Sequence, residues 1–268
     1  LYVVTQQYTF RAGKTEKRAD LVLLINGMPL VLIEAKTPVR SSQSWLDGAL
    51  QVHDDYERNV PELFVPNVFS VATEGKEYRF GSIRMPLEFW GPWRLEDEDF
   101  LPSMEELEKA VSSMLRPQVI LDLLANFTSY ATLKGKQRIK IIARYQQYEG
   151  ANKLVERVVA GHPKKGLIWH FQGSGKSLLM LFAANKLRRK LSTSDWEITV
   201  VDADDNHRYQ PGYLFLPFGT YKPSQITKSR RKNLTKDVPL VYGEIDRVEA
   251  DENAVLLTDG RRLDYDVL

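Results

Sequence analysis

The sequence predicts an α/β protein: a mixed sheet with flanking helices, followed by a truncated phosphate-loop or Rossmann-like α/β segment. Three observations carry that prediction. Two dense apolar runs lie on either side of Asn26-Gly27, the strongest short hairpin signal. A glycine-rich loop, Gly173-Ser174-Gly175-Lys176-Ser177, stands between an apolar run and a helical pattern. Strand-like and helix-like segments alternate around both.

In chain order, residues 1–10 alternate as a strand should, and residues 20–25 and 30–35 read as buried strands. Trp45 to Arg58 reads as a helix and Asn67 to Thr73 as a further strand. Met85 to Asp97 is loop, rich in Pro and Trp; helices over Met104 to Met114 and Val119 to Phe127 follow. Lys134, Lys136, Arg138, Lys140 and Arg144 mark a linker and a domain boundary. Beyond it, Arg144 to Ala160 reads as a helix, Leu167 to Phe171 as a buried strand, and Lys176 to about Lys190 as a helix. Glu197 to Asp202 reads as a strand, and Leu240 to Asp264 as a meander with turns at Glu252-Asn253 and Asp259-Gly260. Domains are therefore expected over residues 1–130, 131–190 and 191–268.

A chain of 268 residues, 43% hydrophobic, can bury a sizeable core. Its lack of cysteine excludes disulfide scaffolds, zinc–thiolate sites and thiol catalysis, and fits a cytoplasmic protein. Neither a signal peptide nor an apolar run long enough to cross a bilayer is visible, so no membrane contact is expected of the N-terminal part. With a net charge of only +2, any contact with DNA must be local. The first residue is Leu1, and the last ones rise into a strand pattern, as expected of a piece of a longer coding sequence.

The two apolar runs carry charges where burial makes charges expensive: Asp20 opens one, and Glu34 and Lys36 close the other. A three-residue loop, Asn26 to Met28, sets Asp20 opposite Glu34 with Lys36 on the same face. A strict two-residue Asn-Gly loop would set Ile33 opposite Asp20 and needs a bulge to restore the pairing. Two carboxylates so placed can hold Mg²⁺ with water in the remaining positions. Lys36 can then orient the attacking water and offset phosphorane charge, the requirements of a metal-dependent phosphodiesterase. Spacing alone fits a second reading equally, in which Asp20 is a turn residue and Glu34 and Lys36 are a solvated strand end.

The stretch from Arg18 to Lys36 resembles the PD-(D/E)xK nuclease domain in the restriction (motor) subunit of type I restriction enzymes. Pro61-Glu-Leu-Phe-Val-Pro-Asn67 and Ala72-Thr-Glu-Gly75 are similar to that subunit too. The resemblance implies a PD-(D/E)xK nuclease-like sheet, Asp20 and Glu34 as metal ligands, and Lys36 as the catalytic lysine. It also implies a Gln and a Tyr one helical turn apart; Tyr56 matches, but Gln51 lies five residues before it instead of four. Ala19 replaces the family's Pro. An acidic ligand from an upstream helix would precede Leu1. Double-stranded DNA and the methyltransferase and specificity subunits are the partners the resemblance implies.

Gly173 to Ser177 reads as a nucleotide site. Backbone N–H groups of such a loop cradle phosphates, Lys176 reaches the β/γ oxygens, and Ser177 binds Mg²⁺. His170 replaces the first Gly of the full pattern. Arg144-Tyr-Gln-Gln-Tyr148 resembles the adenine-reading segment of the same subunits, with Gln147 as the base contact. The run Val200 to His207 imitates an acidic helicase box but follows the loop by one helix only. ATP binding without productive hydrolysis is therefore expected.

From about Asn185 the resemblance changes. Trp196 to His207, Tyr209 to Phe215 and Asp259 to Leu268 resemble flavoprotein oxidoreductases of the sulfide:quinone reductase type. There Asp202 would end the second Rossmann strand and bond an FAD ribose. The glycine fingerprint and the cysteines of such reductases are absent, so FAD is not expected and a chimera or recombined fragment is. The alternatives to a nuclease are an FAD-dependent oxidoreductase fragment and an inactive DNA-binding module.

Overall fold

Asn26 and Gly27 both take positive φ, 51° and 81°, so the chain reverses in a two-residue turn that opposes Ile25 to Met28. That turn joins β2 (Thr15–Ile25) to β3 (Met28–Ala35), and β1 (Tyr2–Ala12) pairs antiparallel with β2 on its other side. Of the two arrangements expected, the three-residue loop is not formed and the two-residue turn with a bulge is. Leu24 opposes Pro29, Leu23 opposes Val31, and Leu30 is the extra residue. Pro29 has no N–H to give the ladder, which is where a break costs least. The bulge brings Leu21 opposite Ile33, and hence Asp20 level with Glu34.

The computed structural model describes residues 1–40, 42–94, 100–132, 138–170, 174–208, 217, 219 and 222–268. Two compact units emerge, Leu1–Gln146 and Gln147–Leu268. In the first, β3 runs parallel to β4 (Phe69–Thr73), which pairs antiparallel with β5 (Tyr78–Gly81), giving the order β1-β2-β3-β4-β5. Strands β3 and β4 are buried along nearly their whole length, as continuous apolar runs in a sheet covered on both faces should be.

The crossover from β3 to β4 is helical from Trp45 to Asn59: α1 (Trp45–Leu50), a π-helical turn (Gln51–Tyr56) and α2 (Glu57–Asn59). Ser44 starts it with a capping box. Its Oγ accepts from Leu46 N at 3.2 Å, and its own N–H donates to Asp47 at 2.7 Å. Gly48 lets this helix close on the sheet, since a Cβ there would sit 3.3 Å from the Cβ of Glu34 and 3.4 Å from that of Ala72. Val22, Leu32, Val52, Tyr56, Phe64 and Trp90 form the core beneath.

Helices α3 (Met104–Met114) and α4 (Pro117–Asn126) follow, then the pair β6 (Thr128–Thr132) and β7 (Arg138–Ile142). Lys134 and Lys136 of the expected linker lie outside the described residues; the rest of that stretch is largely β7, with Ile139, Lys140 and Ile142 buried.

The second unit holds most of α5 (Tyr145–Ala160) and all of α6 (Lys176–Lys190). The buried strand expected over Leu167 to Phe171 is not formed. Residues 167–170 have no regular structure, with Leu167 85% and Trp169 88% exposed, and Phe171 lies outside the described residues. A strand needs a bonded neighbour, and the described strands of this unit pair elsewhere. The expected strand Glu197 to Asp202 shortens to β8 (Val200–Asp202). The other strands are β9 (Asn206–Arg208), β10 (Thr227–Ser229), β11 (Leu240–Tyr242), β12 (Ile245–Glu249), β13 (Ala254–Leu257) and β14 (Arg262–Asp264). Strand β8 runs parallel to β11, β9 pairs with β10, and β12-β13-β14 form the expected meander, with positive φ at Asn253 and Gly260 in its turns. The whole is mixed α/β.

Candidate active site

Asp20 on β2 and Glu34 on β3 meet because the bulge at Leu30 aligns them. Asp20 Oδ2 accepts from the backbone N–H of Ala35 at 3.0 Å, which ties its carboxylate to the residue next to Glu34. Glu34 is 1% exposed, and its Oε1 is buried without a hydrogen-bond partner. Burial, and then the nearby charge of Asp20, push its pKa up to about 7. An unpartnered buried carboxylate oxygen beside a second acid is a place for a cation.

Lys36 leaves the end of β3 on the same side, with Nζ 3.5 Å from Glu34 Oε2 and donating to Gln51 Oε1 at 2.5 Å. Gln51 Nε2 in turn donates to Tyr56 Oη at 2.5 Å, and Tyr56 Oη donates to the Arg18 carbonyl at 2.8 Å. Burial, followed by the charge of Glu34, pushes the Tyr56 phenol up and keeps it protonated as a donor. Asp20, Glu34, Lys36, Gln51 and Tyr56 therefore converge at one end of the sheet.

The donors are hard oxygens, suited to Mg²⁺, which keeps several waters and needs only one or two carboxylates. Among the described residues no group of three or more His, Asp or Glu side chains is placed to hold a metal ion. A residue that the sequence did not single out adds to the centre: Gln7 Nε2 donates to Asp20 Oδ1 at 3.3 Å. Nothing in an alternating strand marks Gln7; only its backbone does.

In the second unit, Gly175 takes φ +81° as the N-cap of α6, so Lys176 and Ser177 occupy that helix's first turn. Ser174 is buried, Lys176 is exposed, and Lys176 Nζ donates to the His170 carbonyl at 3.2 Å. Gly173 lies outside the described residues. Gln147 is 3% exposed, and its amide nitrogen donates to the carbonyls of Ser174 at 3.1 Å and Gly175 at 3.4 Å. Its side chain thus braces the loop from below. Asp202 ends β8 and pairs with Arg230 at 2.5 Å; Tyr209 to Phe215 lie outside the described residues. No described helix is long and apolar enough to cross a membrane.

Fold and site together define a mixed α/β protein with a centre of two carboxylates and one lysine toward the C-terminal end of the central strand of its principal sheet. Residues 1–89 match the family model of the type I restriction enzyme R protein N terminus, and residues 146–262 match that of the SWI2/SNF2 ATPase. The first of these matches, over about a third of the chain, makes it similar to the R protein, or endonuclease subunit, of type I restriction enzymes. It is 32% identical over 232 residues to the type I restriction enzyme HindI endonuclease subunit of Haemophilus influenzae, covering 82% of this chain and 22% of that protein. A provisionally named type I restriction enzyme MjaVIIP endonuclease subunit of Methanocaldococcus jannaschii is also 32% identical, over 74% of this chain and 19% of its own length. The chain thus spans about a fifth of the length of these relatives. A mitochondrial sulfide:quinone oxidoreductase of Dictyostelium discoideum is 27% identical over 88 residues, 33% of this chain and 19% of that protein.

Proposed function

We propose that the first unit is a PD-(D/E)xK endonuclease domain that cleaves double-stranded DNA with Mg²⁺ held by Asp20 and Glu34. The observation that carries this reading is the unpartnered Oε1 of Glu34, buried beside Asp20 and within reach of Lys36. When bound, the ion would supply Lewis acidity and an activated water. Lys36, held by Gln51, would orient an attacking water and face the charge that builds on the phosphorus oxygens. Tyr56 holds Gln51 in place, so the chain from Arg18 to Lys36 fixes the ammonium before substrate arrives.

We propose domains over residues 1–130, 131–190 and 191–268. We infer that the second is the start of an SF2-like motor, which binds ATP through Gly173 to Ser177 and Gln147 without productive turnover. Ser177 would serve its Mg²⁺. In the intact family member, DNA translocation would precede cleavage, with methyltransferase and specificity subunits as partners in the cytoplasm. The relation to sulfide:quinone oxidoreductase supports a second reading for the tail, as the end of a chimera. Flavin absorbance in the purified protein would favour an FAD-dependent oxidoreductase with an unrelated N-terminal extension over the nuclease.

The test is Mg²⁺-dependent nicking of supercoiled plasmid by the 268-residue protein. Nicking that disappears in Lys36→Ala and in Glu34→Gln supports the endonuclease. Equal nicking by these variants, or DNA binding with no nicking by any of them, overturns it in favour of contamination or an inactive DNA-binding module.

A further inference from the structure

We propose that Gln7 is a positioning residue of the acidic centre: its carboxamide holds the Asp20 carboxylate toward Glu34 and so sets the affinity for a divalent cation. The proposal rests on the reading that Asp20 and Glu34 hold such a cation.

Strand β1 pairs with β2 in one register from Tyr2 to Ala12, and Gln7 alone drops out of the ladder. Its φ is +52°, in the left-handed region that side chains with a Cβ seldom enter. Gln6 still opposes Leu21 and Tyr8 still opposes Ala19, so no residue has been inserted. The distortion therefore serves neither to lengthen the strand nor to turn it. Such strain persists only where the surroundings hold it, and it gathers at functional sites.

The residue left opposite Gln7 in that register is Asp20. Its Oδ2 is taken by the Ala35 N–H and its Oδ1 by the Gln7 amide, so both oxygens are fixed, from two different strands. A carboxylate held at both ends cannot rotate away from Glu34. That matters most in a centre where, among the described residues, no third acid is placed to make up for a misdirected one. A neutral amide also does this without adding a third negative charge beside Glu34, whose ionisation Asp20 already opposes. Glycine or asparagine would suit the backbone better, yet neither reaches as far as glutamine. Holding Asp20 thus explains why Gln occupies a position that disfavours it.

The experiment is a Mn²⁺ titration by calorimetry on the full chain, with thermal unfolding followed in parallel. Gln7→Gly, free to adopt the same φ, is expected to raise Tm while weakening Mn²⁺ binding about tenfold. Gln7→Met, which keeps the length and the strain but lacks the amide, is expected to weaken binding equally without raising Tm. The Met variant also carries the test if the Gly variant does not fold. Wild-type affinity in both variants would overturn the role of Gln7. The underlying reading fails differently: the wild-type protein would bind no Mn²⁺, or Asp20→Asn would bind it as well as wild type does.

Discussion

Gln51 and Tyr56 stand five residues apart, yet their side chains meet at 2.5 Å because the turn between them is π-helical. In an α-helix, residues four apart share a face and residues five apart diverge. The wider π turn absorbs the extra residue and restores the alignment. It also lets Gln51 reach Lys36 on the sheet while Tyr56 reaches the Arg18 carbonyl, so one turn of helix ties two strands at the candidate centre.

Breaking that tie has two separable consequences. Tyr56 is 3% exposed, so Tyr56→Phe leaves the Arg18 carbonyl and Gln51 without their partner in a buried place. Urea denaturation should show a loss of about 1–2 kcal/mol. Gln51 is half-buried, and Gln51→Ala should change stability little while lowering the rate of plasmid nicking, because Lys36 loses the acceptor that aims it. Wild-type stability in Tyr56→Phe, or wild-type nicking in Gln51→Ala, would remove the bridge from the mechanism.

Gly48 tests the seat of Glu34 from the helix side. A Cβ at this position comes to 3.3 Å from both the Cβ and the backbone oxygen of Glu34, closer than ordinary contact. Backbone cannot swing aside as a long side chain can, so Gly48→Ala should displace β3 at Glu34. Overpacking of this kind costs about 1–3 kcal/mol. Weakened Mn²⁺ binding should accompany the lower Tm, and a variant with both values unchanged would refute the close approach.

Proton linkage gives the centre a pH signature. Glu34 is pushed up to about 7 from an ordinary 4.5, chiefly by burial. Between those values the folded protein retains a proton that the unfolded chain has released. Stability of the cation-free protein should therefore fall as pH rises from 4.5 to about 7, then level off. Glu57, also pushed up to about 7 by burial, adds a second slope of the same sign. Glu34→Gln should remove only one of the two. A cation must displace the Glu34 proton below that pH, so its affinity should drop about tenfold per unit well below 7. A flat stability profile, or cation affinity independent of pH, would contradict a buried, proton-retaining Glu34.

The two acids and the lysine were legible in the sequence because apolar runs rarely end in charges. Their alignment was only half legible. Asn26-Gly27 announces its turn, but Leu30 looks like any other leucine in the run, and only the paired strands reveal it as the bulge. Gln51 was obscured for a related reason: residue spacing assumes an α-helix, and nothing in Gln51 to Tyr56 announces a π turn. Gln7 was invisible, since its distinction lies in φ and not in residue type. The run Leu167 to His170 misled in the opposite direction. Hydrophobic residues predict burial only where a neighbouring strand exists to receive them, and periodicity cannot supply that neighbour.

The loop before α6 yields a coupled prediction. Gly175 stands at φ +81°, where an L side chain is strained, and a Cβ there would also meet Gln147 Nε2, whose side chain would have to shift. Gly175→Ala should thus suffer twice, from the left-handed backbone and from the collision. Gln147→Ala removes the collision but takes the amide from the carbonyls of Ser174 and Gly175, so it should loosen the loop by itself. The double variant should then lose less stability than the sum of the single losses, with a coupling of at least about 0.5 kcal/mol. Binding of a fluorescent ATP analogue should weaken in both single variants and vanish in Lys176→Ala, while Mn²⁺ binding by Asp20 and Glu34 stays unchanged. Strict additivity would mean that Gln147 braces nothing, and analogue binding that survives Lys176→Ala would mean that the loop is not a phosphate site.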